Sequence, residues 1–515
     1  MSVVMYTKIN KLLAFSTVIF IFNVSIFSAD QRFGDYPFFY VNDSEQTGID
    51  NQIQLLHSGV ASLQKRLDMI RGAKNTIHIE YFIWKKDKAG LLVFHELIKK
   101  AKKGVKVKII VDKSIAIHKM DEFYAEAVSK YGLELRHYNR ALDPITAQFR
   151  NHRKVFVVDG KEAITGGRNI GEEYFDMDPI YNFLDRDVYI KGPVAKVMDE
   201  TFQFNWNHSI VKKAKVLKVN PKSNRLFRDR KNRDRYNLHR GEVLERLRKE
   251  ANDWIESHQS SNDLAKKVEK VARPILNGHP LLSCPKLTFV SDRPGATFKS
   301  TLSQKSYMKN SRSMSKVLFH YIDNKVTEKF YMASPYFIPN KRISEKLESL
   351  IDRGVKPYLL VNSLGSTDAF YVSSNFYRMA PRWQKRGLQI YIHDAKYTGH
   401  NPVMTKKGKA VRWGMHEKTY IFNDEAFYIG TYNIDNRSDF FNVEMGVICE
   451  GSQALTRDLL ESMMRRYQNS YKIVGEGRAI SFDGEEADYY GNATKKQKKT
   501  MKRFSILAKI FEPLM

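Results

Sequence analysis

Two short runs in this chain set an imidazole and an ammonium two residues apart: Asn151-His152-Arg153-Lys154 and His416-Glu417-Lys418. Residues two apart on a strand share a face, so His152 projects with Lys154 and His416 with Lys418. A turn signal follows each run, Asp159-Gly160 in the first copy and Asn423-Asp424 in the second. A returning strand then leads to an asparagine, Asn169 or Asn433, at the same distance from its histidine in both copies. One such run is near noise in a lysine-rich chain, whereas two at matched spacing form a pattern.

The chemistry these groups suit is phosphodiester transfer. A neutral imidazole is a competent nucleophile near pH 7, because its unperturbed pKa is about 6.5. A second imidazole can protonate the leaving alkoxide and then deprotonate the incoming alcohol or water. Lys154, Lys418, Asn169 and Asn433 would bind the phosphate and stabilise charge on its non-bridging oxygens, with no metal ligand and no cofactor required. Gly166-Gly167, just before Arg168-Asn169, are read as allowing close approach of backbone to ligand.

The elements that position these residues recur. Thr76–Trp84 reads as a buried strand, Leu91–Lys103 as an amphipathic helix, and Val105–Val111 as a second strand after Gly104. Lys329–Phe337, Ile343–Arg353 and Val355–Asn362 after Gly354 repeat that plan. Lys130-Tyr-Gly-Leu-Glu-Leu-Arg-His137 likewise matches Lys385-Arg-Gly-Leu-Gln-Ile-Tyr-Ile392. The expected fold class is a duplicated α/β unit whose sheets share one cleft. Its halves are read as 30–210 and 286–482, joined by a basic, partly helical segment over 211–285 and followed by a basic tail, 483–515.

The chain has 515 residues, with 85 Lys and Arg against 57 Asp and Glu, a net charge of +28. Such an excess favours an anionic partner, either nucleic acid or an acidic membrane surface. Lys8 and Lys11 precede an apolar run from Leu12 to Ala29, so residues 1–29 read as an export signal or an N-terminal membrane anchor. Either places the body on the extracytoplasmic side. Cys284 and Cys449 are too few for a disulfide framework; export would permit a bridge between them, but Cys449 ends a strand-like run and reads more simply as core. The 212–235 stretch is a solvated linker face or a basic surface for lipid head groups. The tail with Lys495–Arg503 lies in a membrane interface or packs back on the body.

Taken together, these residues resemble the phospholipase D superfamily, which carries His-x-Lys-x-x-x-x-Asp once in each half. The finer resemblance is to its bacterial cardiolipin synthases, through Gly166-Gly-Arg-Asn-Ile-Gly-Glu-Glu-Tyr-Phe175, Arg186-Asp187 with Gly192-Pro193, Gly430-Thr-Tyr-Asn-Ile-Asp-Asn-Arg-Ser438, Asn442-Val-Glu444 and Glu80-Tyr-Phe-Ile-Trp84. It implies two α/β/α sandwich domains packed as a pseudo-dimer, and one active site complete in a monomer. It implies a covalent phosphatidyl-histidine, with His152 as nucleophile and His416 as acid/base or the roles exchanged. Glu444 and Asp187 (or Asp185) would orient the imidazoles, and Glu80 would border the substrate pocket. Asp159 and Asn423 occupy the motif's last position, and Asn423 departs from the pattern, a change a turn role tolerates. Phospholipid partners follow and nucleic acid does not. Transfer between phospholipids is the leading expectation, and hydrolysis to phosphatidic acid the alternative.

Overall fold

The computed structural model describes residues 32–114, 121–141, 146–214, 230–257, 261–295, 312–397, 402–404 and 411–511. The apolar run Leu12–Ala29 and residues 215–229 of the basic stretch lie outside them. Among the described residues, no helix is long and apolar enough to cross a membrane.

In chain order the strands of the first half are β1 (Phe39–Asp43), β2 (Asn51–Leu56), β3 (Thr76–Tyr81), β4 (Lys106–Asp112), β5 (Leu133–Tyr138), β6 (Val155–Val158), β7 (Glu162–Gly166), β8 (Tyr181–Leu184), β9 (Asp187–Lys191) and β10 (Val211–Lys213). Those of the second are β11 (Leu282–Cys284), β12 (Lys286–Ser291), β13 (Lys329–Ala333), β14 (Lys356–Asn362), β15 (Gln389–His393), β16 (Arg412–Met415), β17 (Thr419–Phe422), β18 (Ala426–Gly430), β19 (Met445–Glu450), β20 (Ser470–Gly475), β21 (Arg478–Ile480) and β22 (Glu486–Ala487). One sheet runs β10-β5-β4-β3-β6-β7-β9-β2-β11, and the other β1-β12-β19-β18-β17-β13-β14-β15-β20-β21-β22. Read from the strand before each parallel trio, the two orders superimpose element for element.

The parallel trios β3-β4-β5 and β13-β14-β15 need helical crossovers. Helices α1 (Gly59–Gly72), α2 (Lys88–Ala101) and α3 (Glu122–Ser129) cover the outer face of the first sheet. Helix α4 (Pro193–Asn207) covers its inner face. Helix α2 shows why the sequence folds so locally: Asp87 caps it by accepting from the Gly90 N–H at 2.8 Å, and Lys99 and Lys100 sit in its last turn. Two further helices, α5 (Arg230–Glu256) and α6 (Ser261–Gly278), follow. The second sheet has α7 (Ser313–Asn324), α8 (Lys341–Asp352) and α9 (Phe370–Arg386) outside, α10 (Gln453–Gln468) inside and the C-terminal α11 (Lys495–Phe511). Each half is thus an α/β/α sandwich. A third core, containing Val155, Val188, Phe202, Phe289, Ile421, Val447 and Met463, fills the space between the sheets and joins the halves.

Three boundaries differ from the sequence reading. Strand β1, inside 30–210, pairs with β12 and so belongs to the second sheet. Strand β11, at the end of the connecting segment, adds to the first sheet through β2. The 211–285 segment is largely part of the first half: Ala251, Ile255, Val268 and Ala272 join its outer core, because an amphipathic helix buries its apolar stripe on the nearest open face. The C-terminal tail packs back on the body, with Gln497 and Met501 buried against α9 and the loop before it. Cys284 and Cys449 are bonded to one another, a correction to the reading of Cys449 as plain core. The bond links β11 on the first sheet to β19 in the second.

Candidate active site

The approaches to β6 and β17 carry the two His–Lys pairs, and both imidazoles line one cavity of about 530 Å³ between the halves. His152 donates through Nδ1 to Glu444 Oε2 at 2.8 Å, and His416 through Nδ1 to Asp185 Oδ2 at 2.6 Å. A carboxylate can only accept, so each ring keeps its proton on Nδ1 and a lone pair on Nε2. Glu444 follows a segment of the second half and serves the first-half histidine, while Asp185 of the first half serves the second-half histidine. The exchange has a backbone cause. The Val443 N–H donates to Arg150 O (2.9 Å) and the His152 N–H to Val443 O (3.1 Å), so the chain before Glu444 runs beside the chain before His152. On the other side β8 pairs in parallel with β16, which brings Leu184 beside Met415.

The remaining valences of the acids are filled. Glu444 also accepts from Thr431 Oγ1, from Ser438 Oγ at 2.9 Å and from Asn442 Nδ2 at 3.0 Å. Asp185 Oδ1 takes the Arg186 N–H at 2.7 Å. Burial pushes Asp185 up, but His416, Lys418 and Arg168 outweigh it and hold its carboxyl well below the usual range. Burial, with Lys154 and Lys418 adding to it, holds the His152 imidazole well below its ordinary value. Burial and Lys418 lower His416 to about 4 against the opposing pull of Asp185. Lys154 falls to about 7, through burial and then Lys418, and Lys418 is lowered by burial. Both imidazoles are therefore neutral at pH 7, and burial holds both lysines below their ordinary range. An anionic phosphate is the group such a site accepts.

The asparagines lie where the sequence reading put them, at the cavity wall. Asn169 accepts the Ile83 N–H at 3.2 Å. Asn433 Oδ1 is buried without a hydrogen-bond partner among the described residues. Lys154 Nζ donates to the carbonyl of His152 at 2.8 Å. Lys418 Nζ donates to that of His416 and lies 3.3 Å from His416 Nε2.

Other assignments need correcting. Asp187 does not reach an imidazole: Oδ2 accepts from Ser62 Oγ (2.6 Å) and Arg66 (2.9 Å), tying β9 to α1. The chain has already entered the first sheet there, while Asp185 sits at the crossover from the inter-half pair. Glu80 is wholly buried beneath the site and accepts from Asn151 Nδ2 (2.7 Å) and Asn205 Nδ2 (2.9 Å), so it shores up the residue before His152 rather than bordering substrate. Asp159 and Asn423 lie at the far ends of β6 and β17 from the imidazoles. Asp159 takes the N–H groups of Lys74, Asn75 and Thr76 at 2.7–2.8 Å, and Asn423 Oδ1 those of Thr327, Glu328 and Lys329 at 3.0–3.4 Å. Their φ values are +53° and +51°, the left-handed geometry of a tight hairpin. Both build turns, and a carbonyl oxygen accepts there as a carboxylate does. Gly167 makes room for an acid rather than a ligand, since a Cβ there would meet Asp185 Oδ1 at 2.0 Å.

Several residues went unread in the sequence. Asp112, at the end of β4, accepts the Asn151 N–H at 2.8 Å, and Asn362, at the end of β14, accepts the Met415 N–H at 2.7 Å. Each steadies the residue before a histidine, and the repeat already aligned these strand ends. Phe82, Tyr174, Asp435 and Arg437, which lie inside the stretches that carry the resemblance, line the cavity, as do Tyr336 and Asp368, which no motif singled out. Arg437 crosses to the other half and donates to Gln148 at 3.0 Å and 2.8 Å.

The family model described as cardiolipin synthase, phospholipase D-like domain, matches residues 67–206 and 318–467, more than half of the chain. The chain belongs to that family. Among relatives of this phospholipase D superfamily member, an uncharacterised protein of Helicobacter pylori (strain J99) is 28% identical over 444 residues, spanning 82% of this chain and 80% of its own. Cardiolipin synthase C of Escherichia coli (strain K12) is 27% identical over 416 residues, 76% of this chain and 81% of its own. In structure the family member resembles a phosphatidylserine synthase of Haemophilus influenzae Rd KW20, with a TM-score of 0.59 at 17% identity, covering 92% of this chain and 99% of that one. That likeness is one of fold, and it agrees with the paired α/β/α sandwiches described above.

Proposed function

We propose that the protein is a phosphatidyltransferase of the cardiolipin synthase type. The observation that carries this is the pair of His–acid couples, each acid supplied by the opposite half, around one cavity whose wall also carries two asparagines, with a buried lysine beside each histidine. The family match and the named relatives support a phospholipid as substrate.

His152 Nε2 attacks the phosphorus, forming a P–N bond as the P–O bond to the departing head-group alkoxide breaks, and His416, which takes up a proton on Nε2 when the anionic phosphate binds, gives that alkoxide its proton. The hydroxyl of a second glycerophospholipid then attacks, His416 takes its proton, and the P–N bond breaks to free His152. The nucleophile's part is supported by the lone pair that the Nδ1–Glu444 hydrogen bond leaves on Nε2 of His152. Lys154, Lys418, Asn169 and Asn433 face the charge that gathers on the non-bridging oxygens. One chain supplies both imidazoles and both acids.

Incubation with phosphatidylglycerol vesicles and resolution of the lipids tests the reading. Cardiolipin and free glycerol are expected, and phosphatidic acid without cardiolipin would make the enzyme a hydrolase. Quenching in neutral denaturing detergent with lipid labelled at phosphorus should leave a phosphatidyl adduct on the parent protein and none on His152→Ala. We also infer an extracytoplasmic body, supported by Lys8, Lys11, the Leu12–Ala29 run and the bonded cysteines. Thiol trapping in intact cells should find Cys284 and Cys449 unreactive until reduced, and free thiols there would refute that placement.

A further inference from the structure

We propose that α11 is a docking surface that seats the mouth of the cavity on an anionic lipid bilayer. This deepens the reading above and rests on it for the identity of the substrate. The helix is two-faced. Gln497 and Met501 are buried: Gln497 Nε2 donates to Leu364 O (3.2 Å), Ser374 Oγ donates to Met501 O (3.0 Å), and Met501 packs with Leu364 and Ala493. The opposite face exposes Lys495, Lys496, Lys499, Lys502 and Arg503. Lys498 pairs with Asp488 at 3.2 Å, but none of these five has an ion-pair partner among the described residues.

Like charges at positions 495 and 499, and at 499 and 503, repel along the helix, so the fold carries this face at a cost. A surface of fixed negative charge supplies what the protein withholds. Phe504 follows the cations and is 44% exposed. An aromatic ring beside ammonium groups suits the head-group zone of a bilayer, where the ring enters the acyl boundary while the charges stay with the phosphates. The buried face of the helix packs on the segment that leads into the cavity wall. Leu364, which holds Gln497, lies four residues before Asp368 of the cavity wall, and Val372 in the first turn of α9 lines the same wall. The docked helix would present that wall to the membrane.

The test uses the full chain carrying Phe504→Trp and phosphatidylglycerol vesicles with brominated acyl chains. Emission beyond that of the parent should fall about twofold or more as the ring meets bromine, and much less with brominated phosphatidylcholine. Adding Lys495→Glu, Lys499→Glu, Lys502→Glu and Arg503→Glu should abolish the quenching, with an unchanged melting curve showing that the fold is intact. No extra quenching, equal quenching by both lipids, or quenching that survives charge reversal overturns the proposal. A change in emission with duplex DNA but not with vesicles reassigns the face to nucleic acid. If Phe504→Trp is quenched while the parent turns over no phospholipid, the enzymatic reading fails and the docking surface stands.

Discussion

At the scale of residues, the two carboxylates near the Arg186 crossover do different work, and their amides should separate them. Asp185→Asn turns an acceptor towards His416 Nδ1 into an ambiguous group and allows the tautomer with the proton on Nε2. It should lower kcat by ~10²–10⁴ while the melting temperature moves little. Asp187→Asn leaves Arg66 buried beside a neutral partner and should cost about 3–5 kcal/mol of stability, with kcat retained below the melting range. Chemical denaturation and steady-state kinetics on both variants decide the assignment, and the reverse pattern would restore Asp187 as the orienting acid. The depressed pKa values carry a second expectation. His416, lowered to about 4, is neutral at pH 7, and Lys154, lowered to about 7, is only partly charged. A bound phosphate favours the protonated form of both, so binding of inorganic phosphate at pH 7 should take up about one proton. Titration calorimetry in buffers of differing ionisation enthalpy reads this directly, and a heat independent of buffer would contradict it.

At the scale of elements, the returning strand after each His–Lys pair is built to meet an acid. In the first half Gly167 yields its side-chain space to Asp185, and in the second half Thr431, at the same place, spends its hydroxyl on Glu444. Gly167→Ala should therefore displace the Asp185 carboxylate and lower kcat by about tenfold or more, with a stability cost of only ~1–3 kcal/mol. A kcat equal to the parent's, measured with a melting curve, would show that the carboxylate has room to move. The hairpins at the other end of these strands act on the fold alone. The side-chain oxygens of Asp159 and of Asn423 each hold three backbone N–H groups, so asparagine in the second copy builds the turn that aspartate builds in the first.

At the scale of the molecule, the halves are interlocked by exchange. Strand β1 crosses to the second sheet, each histidine takes its acid from the other half, and the Cys284–Cys449 bond clamps the edge of the first sheet to the second. The bond joins positions 165 residues apart, so its loss should destabilise the protein by about 2–5 kcal/mol through the unfolded chain. Cys284→Ser with Cys449→Ser should lower the midpoint of urea denaturation in step with reduction of the parent, while turnover at low temperature persists, because neither sulfur lines the cavity. Equal midpoints for parent and variant would mean that the bond adds nothing to stability.

The sequence by itself determined the repeat, the two His–Lys–Asn sets and the strands that carry them. Strand alternation and the matched intervals from His152 to Asn169 and from His416 to Asn433 are local properties of the chain. The termini of α2 and α8 were legible to within a few residues for the same reason, through their caps and apolar stripes. The pairing of acids with imidazoles was not legible. Asp185 and Asp187 stand two residues apart with the same chemistry, and only the path of the backbone between sheets sends one to His416 and the other to Arg66. Nor could spacing show that Glu80 is buried, that β1 leaves its half, or that Cys284 meets Cys449. Those facts depend on which surfaces the two halves bury against each other, a choice made by packing across hundreds of residues and written in no single stretch of chain.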